Sequence, residues 1–281
     1  MGRDPACQSR RPLIPPVSAD HLSPIPLVGR HTPHTSEWEH DKQPSVAPSF
    51  VPEGFNEMTK LLRIDASART SRSLTRALAD TFERSWLDRR PHDEVVRRDV
   101  GSNPPPFVSE EWVAAAFAKD RNKEDERVLA LSDELIAEVA EAQIIVIASP
   151  MYNFGMPAAL KAWVDQIVRI DKTFTFDLAR GDAPLEPVYS GKTLVLLTAW
   201  GEFGFGPGEP NEGRDNLTPH IRTVSRYLGA EEMHHVGIEY QEFGDLRFEA
   251  SQQAAFAALA PLVDRLVCQS GRDAQDRKSA A

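Results

Sequence analysis

Cysteine is nearly absent: Cys7 and Cys268 are the only two in 281 residues, at opposite ends of the chain, with no CxxC and no histidine at metal-ligand spacing beside them. That excludes a disulfide framework and a thiolate-built zinc site. Both are read as free thiols in a reducing, cytoplasmic compartment. Long apolar runs are missing as well. The longest candidate, residues 143–149, has the length of a buried strand, against the roughly 18 residues that a membrane helix needs. An excess of positive charge is missing too. The formal net charge is −10, whereas a nucleic-acid binder gathers Lys and Arg on one face to neutralise phosphates. Neither GxxxxGK[ST] nor GxGxxG occurs, so a nucleoside triphosphate or a Rossmann pyrophosphate fits poorly. His220, His234 and His235 are read as solvated or packed side chains rather than metal ligands, and no Ser-His-Asp or Cys-His set can be assigned.

The first 57 residues carry 10 of the 22 prolines and no apolar periodicity, so they are expected to be a disordered extension. They lack the apolar core of a secretory signal, and Asp4 and Asp20 give a transit peptide little support. Met58 directly precedes the first strand-like run, which raises an upstream mis-assigned start. The polar residues 270–281 are likewise expected to be an unstructured tail, leaving 58–269 as one domain.

Within that domain two periodicities alternate. Leu61-Leu62-Arg63-Ile64 reads as a strand. Residues 74–86 carry Leu74, Leu78, Phe82 and Trp86 at steps of four, which is helical spacing. Residues 94–100 alternate as a strand beside solvent, and a proline-rich loop at 103–107 leads to a helical stretch ending near Ala140. Residues 143–149 and 193–198 read as buried strands, 158–168 as a helix opened by Pro157. Helix 216–228, strand 233–239 and a last helix over 248–268 complete the pattern. Strand and helix in alternation imply an α/β fold with a parallel sheet covered on both faces, whose ligands bind beyond the carboxyl ends of the strands.

Three loops lie there. The first contains Ser67, Thr70, Ser71, Arg72 and Ser73 between a strand and a helix. Free helix-terminal amides plus hydroxyls suit a monophosphate, although Ser71 or Ser73 could simply be an N-cap. The second, Pro150-Met151-Tyr152-Asn153-Phe154, places three large apolar groups and an amide beside a buried strand. A planar ring is the natural guest, its polar edge on backbone amides. Folding into the core or a dimer contact are the alternatives. The third, residues 199–216, is glycine-rich and long.

The Ser67-x3-Ser71-x-Ser73 spacing, the Pro150-to-Phe154 run, Leu160-Lys161 and Lys172-Thr173-Phe174 together resemble the FMN-dependent NADH-azoreductases, which include NAD(P)H-quinone reductases. The resemblance spans residues 58–267 and implies a flavodoxin-like three-layer sandwich with five parallel strands in the order 2-1-3-4-5. It further implies non-covalent FMN, NADH or NADPH as donor, a quinone or azo compound as acceptor, and a homodimer with sites at the subunit boundary, where Trp163 would help form the contact. Ser67, Ser71, Arg72 and Ser73 would take the phosphate. Met151, Tyr152, Asn153 and Phe154 would line the ring, and the flavin itself would carry the chemistry. One element departs from the family: where it has Ser-Arg-Gly-Gly, this chain has Ala199, Trp200, Gly201 and Glu202. Trp200 would then lie against the ring or the nicotinamide, and residues 202–213 would form a flap with Phe203 or Phe205 over an acceptor. The departure keeps two other readings open: a binding protein that has lost flavin, and a flavin reductase that uses FMN as substrate.

Overall fold

A computed structural model of the protein describes residues 58–280. The proline-rich extension, the question of the start, and Cys7 lie outside the described residues. In chain order the elements are β1 (Lys60–Asp65), α1 (Leu74–Arg89), β2 (Glu94–Asp99), α2 (Glu110–Phe117), α3 (Lys123–Glu141), β3 (Ile144–Pro150) and α4 (Ala158–Ile167). After them come β4 (Phe174–Phe176), β5 (Leu185–Pro187), β6 (Lys192–Ala199), α5 (Thr218–Ser225), β7 (Ala230–Ile238) and α6 (Leu246–Ala280). The main sheet has the order β2-β1-β3-β6-β7, and every pair in it is parallel. Numbered among the sheet strands alone, this is the expected 2-1-3-4-5.

The three layers follow from the two-residue period of a strand. Leu62, Ile64, Ile145, Ile147, Leu194 and Leu196 point to one face, where they meet Leu135, Val139, Leu160, Trp163, Ile167 and Ile221 from α3, α4 and α5. Their neighbours Leu61, Ile144, Val146, Val195 and Leu197 point the other way and are covered by Leu78, Phe82 and Trp86 of α1 and Leu259, Val263 and Leu266 of α6. Helix α1 starts because Ser73 caps it, its side chain accepting from the Arg76 amide at 3.4 Å. It stops before Pro91, whose ring disfavours helix in the preceding residue.

Four local expectations are corrected. The helical stretch ending near Ala140 is two helices, because Asn122 and Asp125 form a capping box that starts α3 afresh. Between α4 and β6 lies an unforeseen antiparallel ribbon of β4 and β5. The last helix does not end at Cys268 but runs to Ala280, where Ala, Arg, Gln and Lys favour helix. Trp163, expected at a subunit contact, is wholly enclosed in its own subunit's core. Among the described residues, no helix is long and apolar enough to cross a membrane.

Candidate active site

At the carboxyl ends of β1, β3 and β6 opens a cleft of about 480 Å³. Its walls come from Ser67, Arg69, Arg72, Ser73, Leu74 and Thr75 of the first loop, Pro150, Met151 and Tyr152 of the second, and Ala199 and Gly201 of the third. Gln241, Glu242 and Phe248, after β7, close it. All three loops singled out in the sequence therefore meet in one place.

The first loop is a run of donors. Among the described residues the amides of Thr70 through Thr75 have no protein acceptor, and the Arg69 amide turns back to the Ser67 hydroxyl at 3.2 Å. The side chains of Arg69 and Arg72 line the cleft with no carboxylate partner among the described residues. Arg72 adopts a left-handed backbone, φ 56°. Unmet amides, a helix N-terminus and two unpaired guanidinium groups make an anion site. The floor is fixed by Gly101: its amide donates to the Asp65 carbonyl at 2.9 Å, and a Cβ there would sit 2.1 Å from the Ser67 carbonyl oxygen. Beneath lies Asp65, buried with Arg63. Burial pushes its carboxyl up, against the pull of an arginine that it shares with Asp80 and Glu83.

The second loop is a tight hairpin. Tyr152 and Gly155 exchange both backbone hydrogen bonds, 2.9 and 3.0 Å, around Asn153 and Phe154, whose φ values of 48° and 65° make the type I′ turn. Asparagine tolerates that conformation; phenylalanine does so only under strain. The Phe154 carbonyl is held by the amide and side chain of Asn216. Met151 and Tyr152 face the cleft, while Asn153 and Phe154 do not line it. Two amides expected to meet a ring's polar edge are already committed, Met151 to the Ala199 carbonyl and Tyr152 to Gly155.

The third loop supplies what the second cannot. The Trp200 amide bonds to the Ile238 carbonyl, whereas among the described residues the amides of Gly201 and Glu202 have no acceptor. The Trp200 ring is buried, edge-on to Phe205 at 5.0 Å and beside His235 at 5.5 Å. It does not line the cleft, and neither do Ser71 or the Glu202 side chain. Glu242 packs over Gly201, where a Cβ would meet its carboxyl group at 2.7 Å. The expected flap is tied down. Phe203 stacks on Tyr240 at 4.4 Å, Gly204 donates to Glu239, and Asn211 bonds back to Phe203 and Gly204.

The family model of the flavodoxin-like fold matches residues 59–262. The FMN-dependent NADH:quinone oxidoreductase 2 of Colwellia psychrerythraea is 50% identical over 219 residues, covering 75% of this chain and 100% of that protein. The chain belongs to this family. A second member with the same name, from Idiomarina loihiensis, is 53% identical over 203 residues, 69% of this chain and 85% of its own. The FMN-dependent NAD(P)H:quinone oxidoreductase 1 of Pseudomonas aeruginosa is 40% identical over 208 residues, 73% and 98% of the two chains. Among solved structures, an azoreductase from Bacillus anthracis aligns with a TM-score of 0.66 and 23% identity over 74% of this chain and 100% of its own. At that identity the likeness is one of fold.

Of the family positions carried over from the sequence, Ser67, Arg72, Ser73, Met151, Tyr152, Ala199 and Gly201 line the cleft of this FMN-dependent NADH:quinone oxidoreductase family member. Sequence reasoning missed Arg69, Thr75, Gln241, Glu242 and Phe248. Arg69 and Thr75 flank the serines and were within reach; the other three arrive from beyond the last strand, where no motif marks them.

Proposed function

We propose that this protein binds FMN non-covalently in the cleft and catalyses the two-electron reduction of quinones, and of azo compounds as a second class of acceptor, at the expense of NADH or NADPH. One observation carries the reading: a single cleft joins an anion site at one end to an apolar slot at the other, with free backbone donors beside the slot. The residues fit the cofactor. Arg69, Arg72, the Ser67 and Ser73 hydroxyls and the loop amides would hold a monophosphate. Met151, Tyr152 and Phe248 would bracket a planar ring, and the Gly201 and Glu202 amides would donate to its polar edge. Bound FMN would supply the two-electron redox chemistry between the nicotinamide donor and the acceptor. The chain contributes orientation, stacking and donors. That Trp200 turns inward supports flavin binding despite the altered Ala199-Trp200-Gly201-Glu202 element, because backbone amides serve whatever side chain they carry.

The exposed Phe107, Val113 and Phe117 around α2, with Tyr152 and Phe154 at 39% exposure each, favour a homodimer with the cleft near its boundary. Cys268, a free thiol, accords with a cytoplasmic location.

The test is an absorption spectrum of the full-length protein after equimolar FMN has been added and unbound flavin removed, followed by anaerobic NADH and then a quinone. Retained flavin bands that bleach with NADH and return with the quinone are expected. A colourless protein that consumes no NADH refutes the reading, and NADH oxidation seen only with excess FMN would make the flavin a substrate. Sedimentation of the same sample as a monomer would refute the dimer.

A further inference from the structure

We infer that Arg76 is the positioning residue of the anion site: it turns the first loop so that its amides, rather than its carbonyls, face the phosphate. The inference rests on the FMN reading above. Arg76 stands in the first turn of α1 and does not line the cleft. Its Nη2 donates to the Ser67 carbonyl at 2.8 Å and its Nε to the Arg69 carbonyl at 2.9 Å. Across a trans peptide the carbonyl oxygen and the following N–H point in opposite directions. Holding the oxygens of Ser67 and Arg69 on the guanidinium therefore turns the Ala68 and Thr70 amides away from it, and a bound phosphate would sit on that side. Without that hold the two oxygens are free to rotate towards a bound anion, which they would repel.

The charge of Arg76 is not itself offered to the ligand. The fork is engaged by Asp99, with Nη1 at 2.8 Å and Nη2 at 2.7 Å from its two oxygens, and Asp65 lies 3.9 Å away. Asp99 in turn accepts from the Ser102 amide at 2.9 Å, next to Gly101. Arg69 and Arg72 are the cations left for the phosphate. The division of labour is geometric: one arginine aims the backbone and two others supply charge. A lysine has neither the number of donors nor the fixed fork to hold two carbonyls and a carboxylate together.

Arg76→Lys and Arg76→Gln, made in the full-length protein, separate aim from charge. Dissociation constants for FMN and for riboflavin, which carries the same ring without the phosphate, are read by flavin fluorescence. In Arg76→Lys, which keeps the charge beside Asp99, the FMN constant should rise about tenfold, the equivalent of one lost charge-assisted hydrogen bond. The riboflavin constant should stay within about twofold. Arg76→Gln should show at least the same selective loss. If Arg76→Lys binds FMN like the wild type, charge suffices and the inference fails; if both ligands weaken together, Arg76 is merely structural and it fails again. A wild-type protein that binds no FMN sinks the proposed function, and this inference with it.

Discussion

Replacing Gly101 by alanine tests how rigidly the floor of the anion site is built. The added Cβ would lie 2.1 Å from the Ser67 carbonyl oxygen and 2.5 Å from its carbon, where ordinary contact begins at 3.4 Å. Both neighbours are backbone, so no flexible tip can swing aside. Gly101 cannot retreat without loosening its own hydrogen bond to the Asp65 carbonyl. The Ser67 carbonyl must therefore move by more than 1 Å, which breaks its 2.8 Å bond from Arg76. Overpacking costs about 1–3 kcal/mol and a charge-assisted hydrogen bond about 1.5–3 kcal/mol. The stiffer unfolded chain returns about 0.4–1 kcal/mol. A net loss of about 3 kcal/mol is expected, or a fall in Tm of roughly 9 °C for a domain of this size. Urea unfolding of the apoprotein measures it, and an unchanged m-value certifies that the native state is what changed. Gly181→Ala is the control, with φ 67°, ψ −129° and nothing within 4 Å of its Cβ; only a backbone region that side chains rarely enter is then penalised, by about 1–3 kcal/mol. Gly101→Ala within about 0.5 kcal/mol of wild type would refute the reasoning, since that is the range of surface changes that touch nothing.

Two further outcomes follow from the same geometry. Phe154→Gly relieves a left-handed phenylalanine at the second position of a type I′ turn, so thermal stability should hold or rise by up to about 1 kcal/mol; a clear drop in Tm would show that the ring is packed for stability. Asp99 is held at about 2 rather than its ordinary 3.8, chiefly by hydrogen bonds from Arg76. Its folded pKa being the lower, it stabilises the fold above pH 3.8 and loses that contribution as pH falls through about 2. Asp99→Asn should accordingly flatten the acid limb of stability between those values, by less than the shift implies because the side chain is 39% exposed; an unchanged limb would contradict the pairing.

The alternation of strands and helices and the faces they bury were legible because they rest on local periodicity: Leu62 and Ile64 against Leu61, or Leu78, Phe82 and Trp86 in steps of four. The order of the sheet came only with the family resemblance, and the meeting of the three loops from the rule that ligands bind beyond the carboxyl ends of parallel strands. Pro150 to Phe154 stood out because large apolar residues in a loop need a reason. The β4–β5 ribbon was not legible, since three residues per strand are too few to show a period. The direction of Trp200 depended on Phe205 and His235, which only the folded chain brings beside it. The same holds for Gly101 against Ser67 and for Arg76 reaching back over seven and nine residues to the loop carbonyls. Such contacts between segments leave no trace in spacing. The extent of the last helix beyond Cys268 is not marked by any apolar period, since residues 269–280 are polar and only their Ala, Arg, Gln and Lys content favours helix there.

The loops around the cleft are stitched to one another by main chain: Met151 to Ala199, Trp200 to Ile238, Gln241 to Trp200 and Glu242 to Gly201. A rim laced in this way keeps its shape whichever side chains it bears. Drift at cleft-lining positions such as 199 can then change the surface that a ligand meets while the main-chain frame is inherited unchanged, so that diversification of substrate range and retention of the prosthetic group become separable evolutionary events.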